Sequence, residues 1–163
     1  MHLLHLANEG MLKVATWATI LFMAVIAIVI PYEVFGRYIL AKMSTWSGEL
    51  STYSLAWASM MGGAVGLKKG YQISMTSVVD AVPPALAKVI RAAGYACTLV
   101  FFGFMTGIGF YQTIYNINQT SPAMGIVLSI PYACLPLGFF LMFTVTLEEY
   151  LVFLGLGPKG EKE

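Results

Sequence analysis

Few side chains in this sequence can take part in ionic or acid–base chemistry, since only 10% of its 163 residues are charged. Those few gather at the ends of apolar runs. The connector GRYILAKMSTWSGEL (36–50) holds Arg37, Trp46 and Glu49. An arginine and a carboxylate placed there could pair to close a hairpin or to dock another subunit. Each residue also suits a membrane interface on its own. Arginine snorkels, tryptophan favours the lipid–water boundary, and a carboxylate favours the first turn of a helix. A second group comprises Lys68, Lys69, Lys88 and Arg91 around the next connector, with Glu148 and Glu149 at the end of the last apolar run. Acids at a helix C-terminus oppose its dipole. The two glutamates are therefore expected to meet these cations in a charge cluster; the alternative is that all six are simply hydrated.

Neither group has the makings of a catalytic site. No metal-ligand cluster, phosphate-cradling loop or nucleophile–base pair is visible in the sequence. Haem in a helical bundle would need axial ligands such as histidine, and the histidines, His2 and His5, are both N-terminal. Cys97 and Cys134 lie inside apolar runs, where a thiol acts as a small hydrophobe. A net charge of +1 offers no basic surface to nucleic acid. No enzyme activity, cofactor or metal is expected.

The elements that position these residues are apolar to an unusual degree. Hydrophobic residues make up 58% of the chain, and its mean hydropathy is +0.77. Soluble domains are about 25% charged. The stretches 14–32, 50–67 and 92–147 carry no charge at all, and the polar knot YQTIYNINQTSP (111–122) divides the last. A membrane helix needs about 20 apolar residues. The sequence thus predicts an all-α integral membrane protein forming one domain over 1–163. It would have four long, tilted spans near 12–34, 49–68, 89–113 and 124–150. The first run is longer than the roughly 7–15 residues of a signal-peptide core, and no small-residue cleavage site follows it. Pro83-Pro84 suit a helix start. Pro31, Pro131 and Pro136 are expected to kink their helices. Gly62 with Gly66, and Gly103 with Gly107, have the spacing that lets helix backbones approach closely in lipid.

Orientation follows from the cations. Lys13, Lys68, Lys69, Lys88, Arg91, Lys159 and Lys162 would share one side, against Arg37 and Lys42 on the other. Positive residues favour the cytoplasm. Both termini are therefore expected to be cytoplasmic, with connectors 33–49 and 112–122 facing outward. No titratable group falls in the middle of any span, although proton relays and gating charges usually reside there.

The connector residues Arg37-Tyr38 and Trp46-Ser47-Gly48-Glu49-Leu50, the small patch Gly62-Gly63-Ala64, and the proline-punctuated SPAMGIVLSIPYACLPLGF (121–139) occur in this order. In this the chain resembles the small membrane subunit of tripartite ATP-independent periplasmic (TRAP) transporters. It departs from the family pattern at Gly48, where an acid is common, and at Gln72-Ile73-Ser74-Met75-Thr76, where a histidine and an aspartate are common. The resemblance implies a bacterial inner-membrane subunit that pairs with a large membrane subunit. It also implies a periplasmic binding protein, sodium-coupled symport and a carboxylate-bearing organic acid as substrate. Membrane lipids would be its other partner. Arg37, Trp46 and Glu49 would serve docking or hairpin closure. A stand-alone oligomeric transporter or channel is the competing reading, and a membrane enzyme or electron carrier the third.

Overall fold

The computed structural model describes residues 2–39, 44–70 and 83–154. Among the described residues five α-helices carry the architecture. They are α1 (His2–Tyr38), α2 (Thr45–Lys68), α3 (Pro84–Tyr115), the short α4 (Ser129–Tyr132) and α5 (Cys134–Phe153). A 3-10 turn (Asn116–Asn118) follows α3. Pro84 opens α3, where a missing N–H costs nothing. At the far end of α2, Gly70 adopts φ +70, a left-handed conformation that glycine takes without penalty. Its N–H reaches the Leu67 carbonyl at 3.1 Å, and the Lys69 N–H reaches Val65 at 3.2 Å, so two carbonyls at the end of α2 are satisfied.

The four long helices stand in the spatial order α1, α2, α5, α3; α1 also touches α5, and among the described residues α1 and α3 do not meet. Side-chain contacts fix the register. Phe22 stacks on Trp57 with centroids 5.6 Å apart, and Tyr32 meets Trp46 at 6.0 Å, so α1 and α2 are antiparallel. Tyr95 meets Tyr150 at 5.9 Å, pairing the start of α3 with the end of α5. Two small cores lie along this row. One holds Ala15, Met61, Ala64 and Leu141. The other holds Leu67, Phe102 and Val145. Most large apolar side chains of α1 and α3 face outward, including Val14, Trp17, Ile28, Val100 and Phe104.

Among the described residues, three helical segments, His5–Tyr38, Leu86–Asn118 and Ser129–Phe153, are long and apolar enough to cross a membrane. The helix α2 is not among them. It is 24 residues long, but serine, threonine and glycine recur along it and lower its hydropathy. Its position explains that composition. It sits between α1 and α5 and turns Ser47, Ser54, Ala58, Met61, Ala64 and Leu67 inward. α1 has 37 residues and α3 has 32. At 1.5 Å per residue they are about 55 and 48 Å long, well beyond a hydrocarbon core of about 30 Å.

The prolines act unevenly. Pro31 lies inside α1, which continues through it as one helix. Pro131 lies in α4 and Pro136 in the first turn of α5, and between them Ala133 separates the two helices. Pro136 has no N–H to offer the Tyr132 carbonyl. The Thr113 hydroxyl stands 3.3 Å from that oxygen while bonding the Gly109 carbonyl at 2.8 Å.

The glycines also differ from the spacing-based expectation. An added Cβ at Gly62 would touch Thr19 at 3.4 Å, and one at Gly103 would touch Phe143 at 3.7 Å; Gly66 and Gly107 have nothing within 4 Å. The tight approaches are elsewhere. At Gly109 a Cβ would lie 2.8 Å from the Pro136 nitrogen, and at Gly138 it would lie 2.7 Å from Met60 Cβ. Spacing along one helix identifies a smooth stripe. Which part of the stripe meets a neighbour depends on register between helices.

Candidate functional site

Two polar clasps, one near each end of α2, are the only places among the described residues where carboxylates bind across elements. The first is built on Glu49. Between the 3-10 turn and α4 the chain makes a narrow hairpin, with a bridge between Thr120 and Val127. The Ser121 N–H donates to Ile126 at 2.8 Å, and the Gly125 N–H donates to Ser121 at 2.9 Å. Gly125 adopts φ +66 and so completes the reversal without strain. This turn aims three donors at one spot. The Ser121 hydroxyl donates to Glu49 Oε2. The Ala123 N–H donates to Oε1 and the Met124 N–H to Oε2, both at 3.2 Å. The Met124 N–H is shared with Ser121 Oγ, also at 3.2 Å. Ser121 itself is 2% exposed. The carboxylate therefore holds the N-terminal end of α2 to the loop that feeds α5.

Arg37 takes no part in this clasp. Among the described residues no ion pair joins Arg37 to Glu49, and Arg37 is exposed. The reason lies in the antiparallel register. Taking Tyr32 and Trp46 as level, Arg37 lies beyond that level toward the C-terminal end of α1, while Glu49 lies on its other side along α2. The two are about 12 Å apart along the axis. Trp46 does bridge the hairpin, through its ring contact with Tyr32.

The second clasp is built on Glu148. Lys68 Nζ on α2 and His5 Nδ1 on α1 both lie 2.8 Å from Glu148 Oε1. The Asn8 amide donates to Oε2 at 2.6 Å and to the Thr144 carbonyl at 3.2 Å. One carboxylate on α5 thereby gathers α1 and α2. Of the other charges expected here, Lys69, Lys88 and Arg91 are exposed, and Glu149 is half-buried with no ion pair among the described residues. With Tyr95 level with Tyr150, Arg91 and Lys88 lie about 9 and 13 Å beyond Glu148 along the axis.

The cluster makes unequal demands on its two glutamates. Glu148→Gln is expected to destabilise the protein by about 2 kcal/mol, since charged hydrogen bonds are worth about 1.5–3 kcal/mol. Glu149→Gln should change stability by less than about 0.5 kcal/mol. Thermal unfolding of both variants in detergent checks the contrast.

Sequence reasoning did not assign a role to Ser121, His5 or Asn8 in these clasps. Asn8 carried a readable signal. It lies on the same stripe of α1 as Met11 and Ala15, which pack into the first core, and it is 1% exposed. The segment Gln72–Thr76, like Lys42, Lys159 and Lys162, lies outside the described residues.

The family described as "Tripartite ATP-independent periplasmic transporters, DctQ component" matches residues 26–154, well over half of the chain. The chain belongs to this family. It is a transporter-component family and not a family of enzymes. Two curated relatives show the range. The ectoine TRAP transporter small permease protein TeaB of Halomonas elongata is 25% identical over 109 residues, covering 66% of this chain and 56% of the relative. The C4-dicarboxylate TRAP transporter small permease protein DctQ of Rhodobacter capsulatus is 23% identical over 118 residues, covering 71% of this chain and 51% of the relative. The chain thus spans about half the length of these relatives. The match places both clasps inside the family region, apart from the α1 side of the Glu148 cluster, since His5 and Asn8 precede residue 26.

Proposed function

We propose that this chain is a non-catalytic brace in a TRAP transporter, pairing with a large membrane subunit that carries the substrate and sodium sites. A periplasmic binding protein would deliver the substrate, a carboxylate-bearing organic acid, and a sodium gradient would drive uptake. The membrane is the bacterial inner membrane, with all four long helices crossing it. Both termini and the Glu148 cluster are cytoplasmic, and the Glu49 clasp faces outward. The excess of lysine and arginine at the Lys68 end supports that orientation.

The observation that carries this reading is where the clasps stand. From Glu49 to Lys68 the rise along α2 is about 28 Å, close to the thickness of the hydrocarbon core. Polar ties at two levels, with charge-free helix between them, suit a rigid plate that something else moves against. The same distance supports α2 as a fourth span despite its lower hydropathy. Two of the relatives are small permeases for ectoine and for C4-dicarboxylates, which is why organic acids are the substrate class. The outward ends, 33–49 and 112–122, are where a binding protein would dock, with Arg37, Trp46 and Glu49 at or beside that face. Partner helices would find room at Gly66 and Gly107.

Co-expression tests the pairing. A tagged large TRAP subunit from the same organism should carry this chain through affinity purification in mild detergent. Recovery of this chain only as a separate homo-oligomer would refute the assignment.

A further inference from the structure

We propose that the turn formed by residues 121–125 is a preformed receptor for carboxylates. Glu49 is its tethered ligand, and free acetate takes the same place once that side chain is removed. The donors of the turn are all neutral. The Ser121 hydroxyl and the Met124 N–H meet Glu49 Oε2, and the Ala123 N–H meets Oε1. Among the described residues no cation pairs with Glu49. Recognition therefore depends on where two oxygens sit and not on an opposing charge. Backbone nests capture carboxylate groups by the same chemistry.

The turn owes its shape to bonds in which Glu49 has no part. The Ser121 N–H donates to Ile126 at 2.8 Å, the Gly125 N–H to Ser121 at 2.9 Å and the Leu128 N–H to Gln119 at 2.9 Å. Pro122 has a fixed φ, and Gly125 holds φ +66, which glycine takes freely. The donors should therefore keep their aim when the glutamate is cut back to alanine. That substitution removes a CH2COO group, and acetate supplies the same heavy atoms. In the wild type the tether gives Glu49 a millimolar or higher effective concentration, so a free carboxylate competes poorly. The receptor is a property of this chain's own turn and stands whether or not the proposed transporter partners are correct.

The test is thermal unfolding of full-length Glu49→Ala in detergent near neutral pH, where acetate is ionised. Sodium acetate is exchanged for sodium chloride at constant ionic strength, and the wild type gives the general effect of that exchange. Glu49→Ala should show a further, concentration-dependent rise in melting temperature of about 2–4 °C. Acetamide, similar in size but uncharged and with one acceptor oxygen, should give no such rise. Adding Ser121→Ala to Glu49→Ala removes one donor, and should raise the acetate concentration needed for a given shift roughly fivefold. If Glu49→Ala is too unstable to purify in chloride, recovery of folded protein from extraction in acetate against chloride is the reading, and acetate should raise it. A melting temperature that acetate raises no more than in the wild type, equal recovery in the two salts, an equal effect of acetamide, or an acetate effect that ignores Ser121 overturns the receptor.

Discussion

Glu49→Gln should cost about 3 kcal/mol of unfolding free energy. The carboxylate accepts from the Ser121 hydroxyl and from two backbone N–H groups. Glutamine keeps one acceptor oxygen and turns an amide NH2 toward the remaining donors. Charged hydrogen bonds are worth about 1.5–3 kcal/mol, and a donor left without a partner in a buried place adds a further cost. Ser121→Ala removes one bond and should cost about 1 kcal/mol. Glu49→Asp should fall between them, because its carboxylate stops one methylene short of the loop. Chemical unfolding followed by tryptophan fluorescence is a suitable measurement, since Trp46 lies one turn from Glu49 and against Tyr32. Glu49→Gln with stability unchanged within about 0.5 kcal/mol would show that the loop does not depend on its clasp.

Glycine-to-alanine substitutions should divide sharply by position. Gly109→Ala sets a methyl 2.8 Å from the Pro136 nitrogen and 3.1 Å from its Cα, and Gly138→Ala sets one 2.7 Å from Met60 Cβ. Neither neighbour can swing aside, because the obstacles are backbone or the first side-chain carbon. The helices must separate, and overpacking of this kind costs about 1–3 kcal/mol. Gly63→Ala meets only the Met142 Cε, 2.6 Å away at the end of a flexible side chain, so its cost should be small. Gly66→Ala and Gly107→Ala meet nothing within 4 Å. Gly107, inside α3, should gain about 0.5–1 kcal/mol from reduced backbone entropy in the unfolded chain, and Gly66, in the last turn of α2, should gain less. Melting temperatures of the five variants give the ranking directly. Equal destabilisation at Gly107 and Gly109 would contradict the packing of α3 on α5.

These two results bracket what the sequence could and could not disclose. Charge-free runs located α1, α3 and α5, because lipid-facing helices must be apolar on most sides. They overstated the apolar character of α2, whose neighbours are mainly α1 and α5. The tie between Lys68 and Glu148 was legible, since a lysine ending one helix and an acid ending another fall at one level. The partner of Glu49 was not. Within a connector the nearest opposite charge, Arg37, looks like the natural mate. Antiparallel helices carry the two residues apart, while a distant loop returns with uncharged backbone donors that no charge count reveals. Gly109 and Gly138 were hidden for a related reason. Each matters through one cross-helix contact, and only the register between helices supplies that contact.

As a brace in a transporter, this chain is expected not to carry solute by itself. Uptake into proteoliposomes under an inward sodium gradient tests it most directly, using radiolabelled ectoine and a labelled C4-dicarboxylate as probes. Vesicles holding this chain with the large subunit and the binding protein should accumulate one of them, and vesicles holding this chain alone should accumulate neither. Sodium-driven accumulation by this chain alone would contradict the account.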